Sequence, residues 1–317
     1  MPIIASHKSS LIFQPSKQTL PVAVFVGGTS GTGQGIVEAF GRHTRGNAHI
    51  FLIGRNKAAA EHIISSLPKP SCAEIRHKFI QCDVSLMSNV SKVSQDLLQQ
   101  LPDGKLNYLV MSPGYFSLNG LEESAEGIGR IIALCYYARF KFTIGLLPAL
   151  EKAQQRGEDA KVLSVLLPGR GVVINSNDLG VKKDYTPFKA LGTAATYTDL
   201  AFQKLSITHP SMTFIHAFPG TLVRTKTLSD SGTPFLRMVA PAFKLLSYPF
   251  SISTETAGEN MLHIMLHCAK QAGFHRIGAR GENLDAVKGR GIIYEDEKLQ
   301  QMREVVWTHS LEATKTA

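Results

Sequence analysis

Cysteine is scarce. Cys72, Cys82, Cys135 and Cys268 are the full set, and no two stand in CxxC or Cys/His ligand spacing. This points to reduced thiols in a cytoplasmic chain and to no metal site. Also lacking is any Lys/Arg block or basic-aromatic interleaving, although Lys plus Arg (34) outnumber Asp plus Glu (25) for a formal net charge of +9. Nucleic acid is therefore not expected as a partner, and the excess is left to an anionic cofactor, an acidic membrane surface or a solvated face. The first residues contain no apolar core of signal-peptide length, and the longest apolar stretch, 131–150, is interrupted by Arg139 and Lys141. Neither secretion nor a transmembrane segment is expected. There is no internal repeat and no linker rich in Pro, Gly or Ser.

What the chain does contain is 317 residues, 44% hydrophobic and 19% charged, enough for a sizeable core and consistent with one domain over 1–317. Short apolar runs at 21–26, 49–53, 77–83, 107–112, 161–167 and 212–218, with another at 291–294, alternate with helical patterns near 34–45, 56–66, 88–100, 123–153, 190–208 and 254–270. Near-continuous apolar strands separated by helix-length segments predict a parallel sheet covered on both faces, an α/β, doubly wound, Rossmann-type plan. Residues 228–253 break the alternation with apolar residues and three prolines, and read as an apolar lid insertion. Residues 295–317 read as a C-terminal helix.

The first strand runs into Gly27, Gly28, Thr29, Ser30, Gly31, Thr32 and Gly33, and a helix follows. Glycines at such a turn let backbone approach a pyrophosphate, and the helix N-terminus offers it free N–H groups. The alternative is a plain turn. At the end of the second strand, Arg55 stands where an acidic residue would bind ribose hydroxyls and repel a 2′-phosphate. A guanidinium there suits a 2′-phosphate, so NADP(H) is preferred to NAD(H); the alternative is that Arg55 and Lys57 are solvent-facing charges.

The GxxxGxG spacing of Gly27, Gly31 and Gly33 resembles the short-chain dehydrogenase/reductase superfamily. So do Cys82-Asp83-Val84 after the third strand, Ser112-Pro113-Gly114 after the fourth and Pro219-Gly220-Thr221 after the sixth. The segments VAVFVGGTSGTG, YYARFKF and FIHAFPG are similar to a divergent branch found in fungal biosynthetic clusters, with retinol-dehydrogenase-like proteins as nearest well-populated relatives. The resemblance implies a Rossmann fold, an NADP(H) site on these residues with Asp83 at the adenine ring, and a hydrophobic small-molecule substrate. It also implies a homodimer paired through the fourth and fifth helices.

The family's Asn, Ser, Tyr and Lys are replaced. Counting forward from Asp178-Leu179 and back from Pro219 puts Leu191 at the Tyr position and Ala195 at the Lys position, with Leu167 at the Ser position and Cys135 at the Asn position. A rival alignment takes Tyr185 and Lys189 as the YxxxK pair, but Pro187 falls between them, where a helix interior would be broken. Tyr136 and Tyr137 are further candidates for an acid, on the helix that lines the family's active site; the alternative for both is core packing. Three functions stay open: an NADP(H)-dependent oxidoreductase with a non-standard site, a redox-neutral isomerase, dehydratase or cyclase, and a non-catalytic nucleotide-binding protein.

Overall fold

The computed structural model describes residues 20–220, 223, 233–248, 251–287, 294 and 296–316. Seven parallel strands, in the order β3-β2-β1-β4-β5-β6-β7, form one sheet. They are β1 (Val22–Val26), β2 (His49–Gly54), β3 (His77–Gln81), β4 (Tyr108–Met111), β5 (Lys161–Val165), β6 (Thr213–Ala217) and β7 (Gly273–Ile277). The helices are α1 (Gly31–His43), α2 (Lys57–Ser66), α3 (Met87–Gln100), α4 (Arg130–Gln155), α5 (Pro187–Thr208), α6 (Pro234–Ser247), α7 (Thr254–His263, continued by a π turn over Ile264–Cys268) and α8 (Asp296–Ala313).

The doubly wound plan follows from alternation within buried strands. In β1, Val22, Val24 and Val26 join a core with α3, α4, α5 and α8, while Ala23 and Phe25 join a second core with α1, α2 and α7. Both faces are therefore apolar, and every residue of β1, β2, β4, β5 and β6 is buried. Helix α4 is long and apolar enough to cross a membrane, but most of its apolar window is packed inside the molecule.

Three expectations are corrected. The last strand is Gly273–Ile277, not 291–294; of that run only Tyr294 lies among the described residues, and it is not in a strand. Its sequence, GFHRI, hides the strand because it carries a charge: Arg276 is 1% exposed and reaches Asp199 at 3.4 Å. Residues 123–129 form a turn closed by a Glu123–Gly129 bridge, so α4 starts seven residues later than its pattern suggests. Helix α5 starts earlier, at Pro187, because Thr186 caps it through the Lys189 N–H (3.0 Å) and proline is tolerated at a first helical position. Within the expected lid at 228–253, the described residues include one 14-residue helix, α6, with Pro241 inside it; residues 228–232, 249 and 250 lie outside the described set.

The C-terminal helix α8 packs on α4 and α5, the faces that the resemblance implies for subunit pairing. Trp307 meets Phe140 edge-on at 5.3 Å between ring centres, and Lys204 pairs with Glu304. A dimer through these faces requires α8 to take part or to move.

Helix α1, which carries the glycine turn, is held by close contact with α7. A Cβ on Gly35 would lie 2.1 Å from the Thr254 carbonyl oxygen. Glu259 of α7 also accepts from Arg42 (2.7 Å) and bonds His43 (2.8 Å). Gly35→Ala should destabilise the fold by about 1–3 kcal/mol, the cost of overpacking a tight contact, read as a lower urea midpoint.

Candidate active site

The sheet reverses its strand order between β1 and β4, and a cleft of about 380 Å³ opens there beyond the C-terminal ends of the strands. Its wall on one side is the glycine turn. Gly27 has φ 79° and donates to the Ile53 carbonyl at 2.9 Å. A Cβ on Gly33 would lie 2.2 Å from Ser112 Oγ and 2.5 Å from the Gly27 oxygen, so only glycine fits. Ser30, the N-cap of α1, is extended and makes no side-chain cap, and the first turn holds no acidic residue. The first N–H groups of α1 thus have no competing anion, the condition for taking a phosphate. Thr29, Ser30, Gly31 and Thr32 all line the cleft, and the cradle fits a dinucleotide.

Farther along the cleft stand Gly54, Arg55, Asp83 and Val84. Arg55 is exposed, its carbonyl accepts from Gln81 Nε2 at 3.2 Å, and among the described residues no carboxylate comes within ion-pair distance of its guanidinium. Lys57 instead lies 3.7 Å from Glu61. Burial would raise the Asp83 carboxyl, but bonds from Ser85 N–H (3.0 Å) and Oγ (2.7 Å), with Arg55 and Arg130 nearby, hold it below its usual value. Burial and Asp83 push the neighbouring Cys82 thiol up to about 12, so it stays protonated. Ser112, Gly114 and Pro219 also line the cleft. Gly220 follows with φ 115°, and Thr221 lies outside the described residues.

The four residues singled out as catalytic candidates do not line this cleft. Cys135 does, while Tyr136 and Tyr137, which follow it in the π-helical turn Ala133–Tyr137, are turned away. Tyr136 Oη bonds Ser310 Oγ and Tyr137 Oη bonds His309 Nε2, both at 2.6 Å, on α8. Burial pushes both phenols well above the usual range. Tyr185 lies just ahead of the cap of α5 and Lys189 in its first turn, so one helix face does not present both. Lys189 Nζ turns to the carbonyls of Lys183 and Asp184 (3.3 and 3.5 Å) and to Asp178 (3.8 Å). Asp178 in turn shapes its own loop by accepting from the Lys182 and Lys183 N–H groups at 2.8 and 3.0 Å.

The cleft also has an apolar part: Phe116, Leu134, Leu166 and Leu191, with Cys135 and Tyr115. After β5 it is Leu166, rather than the counted Leu167, that lines the cleft. Ala195, one turn beyond Leu191, is fully buried. Two functional residues escaped the sequence reading. Tyr115 donates to Glu122 Oε2 at 2.8 Å, with the Arg130 guanidinium 4.5 Å from its ring centre. Burial and the Glu122 bond raise the Tyr115 phenol, so it keeps its proton. Its only sequence signal was its place directly after Ser112-Pro113-Gly114.

The other is Arg139, 2% exposed and buried beneath the cleft. Nη2 donates to the Pro113 carbonyl (2.6 Å), and Nη1 to Ser164 Oγ (2.6 Å), the Val165 carbonyl (3.0 Å) and the Met111 carbonyl (3.4 Å). Burial lowers its pKa to about 10, which leaves it charged at neutral pH. Ser164 is in register with Met111 on β4 and His216 on β6, and His216 with Arg276 on β7. The polar row continues from His216 Nδ1 to Asp199 Oδ1 at 2.6 Å. Arg139→Met should cost about 3 kcal/mol or more, because carbonyls at two strand ends lose their donor in a buried setting. The loss would be read as a fall in the urea unfolding free energy.

Residues 21–166 match the family model for short chain dehydrogenase. The chain is 38% identical over 245 residues to oxidoreductase AN1596 of Emericella nidulans, covering 76% of this chain and 70% of that protein. It is 28% identical to oxidoreductase andH of Emericella variicolor, over 93% of this chain and 91% of that one. Among solved structures, an alcohol dehydrogenase from Thermococcus sibiricus complexed with 5-hydroxy-NADP superposes with a TM-score of 0.58 at 17% identity, over 84% of this chain and 99% of that chain. An NADPH-bound carbonyl reductase from chicken fatty liver also gives 0.58, at 14% identity over 84% and 99%. The structural likenesses establish the fold, and the sequence likeness over most of both chains carries the lineage: this chain is an oxidoreductase-type member of the short-chain dehydrogenase family.

Proposed function

We propose that the chain is an NADP(H)-dependent oxidoreductase that reduces an activated carbonyl or enone group on a hydrophobic intermediate of secondary-metabolite type, through a non-standard active site. The observation that carries this reading is the join of two features in one cleft: a glycine cradle that a Cβ would fill, and Arg55 at the end of β2 with no acidic residue in the Gly54-Arg55-Asn56 turn. The turn from Gly27 to Gly33 would hold the pyrophosphate, Arg55 the 2′-phosphate, and Asp83 and Val84 the adenine. When bound, the nicotinamide supplies a hydride. The four cysteines, all free thiols, suit a reducing, cytoplasmic setting.

The protein's own share of the chemistry is positioning and one proton. Leu134, Leu166 and Leu191 form an apolar wall that excludes water and favours a hydrophobic substrate. Among these apolar lining residues stand Tyr115 and Cys135, each with an ionisable proton, and burial holds the Cys135 thiol above its usual pKa. Tyr115 is half-buried; its hydroxyl would turn from Glu122 to give its proton to a substrate oxygen, and the hydride would be supplied by the bound nicotinamide. Water at the cleft mouth then returns the proton. Glu122, held ionised by Tyr115, Ser117 and Asn119 against the cost of burial, orients the hydroxyl. A positioned acid of this kind is worth about 10² to 10⁴ in rate.

Calorimetric titration should give tighter binding of NADPH than NADH, and Arg55→Ala should reduce that preference by about 1.5–3 kcal/mol. Equal affinities in the unsubstituted protein would overturn the cofactor assignment. In turnover assays on an activated carbonyl with NADPH, Tyr115→Phe should fall about a hundredfold with cofactor affinity retained, while Tyr185→Phe and Lys189→Ala stay within about tenfold of the parent. A thousandfold loss in Tyr185→Phe would reinstate the YxxxK pair. Turnover that needs no NADPH would favour a redox-neutral reaction.

A further inference from the structure

Helix α6 and the residue after it show an apolar face that the molecule leaves in solvent. Phe235 is 60% exposed, Met238 72%, Leu245 77%, Leu246 76% and Tyr248 55%. Leu245, Leu246 and Met238 are the most exposed large apolar side chains among the described residues. At 3.6 residues per turn, positions 235, 238, 242, 245 and 246 fall within an arc of about 100°, and Ala242 between them is also exposed. Ala240, on the opposite side of the helix, is 5% exposed and faces the protein. This is a continuous stripe rather than a scatter of single apolar residues, the pattern that marks an interaction surface.

Charge selects the occupant. From Thr233 to Ser253 the sequence contains Arg237 and Lys244 and no Asp or Glu, in a chain of formal charge +9. An apolar face with basic residues on the same helix and no acidic ones is the composition of a helix that lies in the surface of an anionic bilayer. Position supports the same occupant. Thr233, the N-cap of α6, accepts from the Leu118 N–H at 2.7 Å and donates to Asn119 Oδ1 at 3.2 Å. The loop so held leads back to Phe116, which lines the cleft and packs against the exposed Phe188 at 5.6 Å between ring centres. The stripe therefore begins beside the apolar mouth of the cleft.

We propose that α6 is a membrane-docking helix that seats Phe235, Met238, Leu245 and Leu246 in the interface of an anionic bilayer, next to the cleft mouth. Docking is a property of the surface and does not depend on the redox reading of the cleft.

The test is co-sedimentation of the full chain with vesicles of phosphatidylcholine alone and of phosphatidylcholine mixed with phosphatidylserine. The protein should pellet with the mixed vesicles, and half a molar NaCl should reduce that binding. Leu245→Glu combined with Leu246→Glu should weaken binding at least tenfold while leaving the melting temperature and NADPH affinity unchanged, since both side chains lie in solvent. Arg237→Gln with Lys244→Gln should reduce the difference between mixed and neutral vesicles. Failure to pellet, equal binding to both vesicle types, or undiminished binding by the double Glu variant would each overturn the proposal. So would a dimer in sedimentation velocity that the double Glu variant abolishes, without vesicle binding by the parent, since a second copy would then cover the stripe.

Discussion

A buried guanidinium with no carboxylate at ion-pair distance among the described residues sets the geometry of the cleft. Arg139 takes the carbonyls of Met111, Pro113 and Val165, together with Ser164 Oγ, and so ties the end of β4 to the end of β5 from below. Removing a cation from water is costly, and only several well-placed acceptors make it tolerable. The residues on the upper side of those same strand ends, Ser112, Pro113 and Leu166, are the floor of the cleft. Ser112 Oγ reaches the Gly27 carbonyl at 3.3 Å, so the glycine turn is coupled to the position of that floor.

Around this clamp, the polar side chains that would populate a Tyr-Lys active site are drawn elsewhere. Tyr136 and Tyr137 are bonded to Ser310 and His309, Tyr197 Oη donates to the Leu179 carbonyl at 2.8 Å, and Lys189 turns to the loop ahead of α5. Helix α8 and the loop shaped by Asp178 are held by these groups. Leu134, Leu166 and Leu191 are left to line the cleft. Tyr115 lies on a different element, the loop after β4, whose next residue Phe116 packs on Phe188 at the start of α5.

The fold was largely legible because its signal is local. Buried parallel strands are apolar on both faces, and five of the seven follow that rule; β3 is half-buried at the sheet edge, and GFHRI hides because its charge is neutralised by Asp199 and Asp285, far from it in sequence or beyond a turn. The start of α5 was missed because Thr186 and Pro187 read as loop until the cap is seen. The start of α4 is hidden because residues 123–129 hold no proline, while the bridge that makes them a turn joins Glu123 to Gly129.

By itself, the sequence determined the alternating β/α order, the glycine turn, and Arg55 in place of an acid, since each depends on neighbours within a few residues of chain. The tertiary structure alone decided where hydroxyls and charges point. Whether Tyr136 and Tyr137 serve the cleft or α8 is set by the π-helical turn Ala133–Tyr137, which spacing in the sequence does not reveal. Arg139, which in sequence only interrupts an apolar run, became the clamp of the cleft floor because strands β4 and β5, distant in the chain, bring their last carbonyls to it. The exposed stripe on α6 was likewise decided by packing, since apolar spacing alone does not say whether a face meets the protein or the solvent.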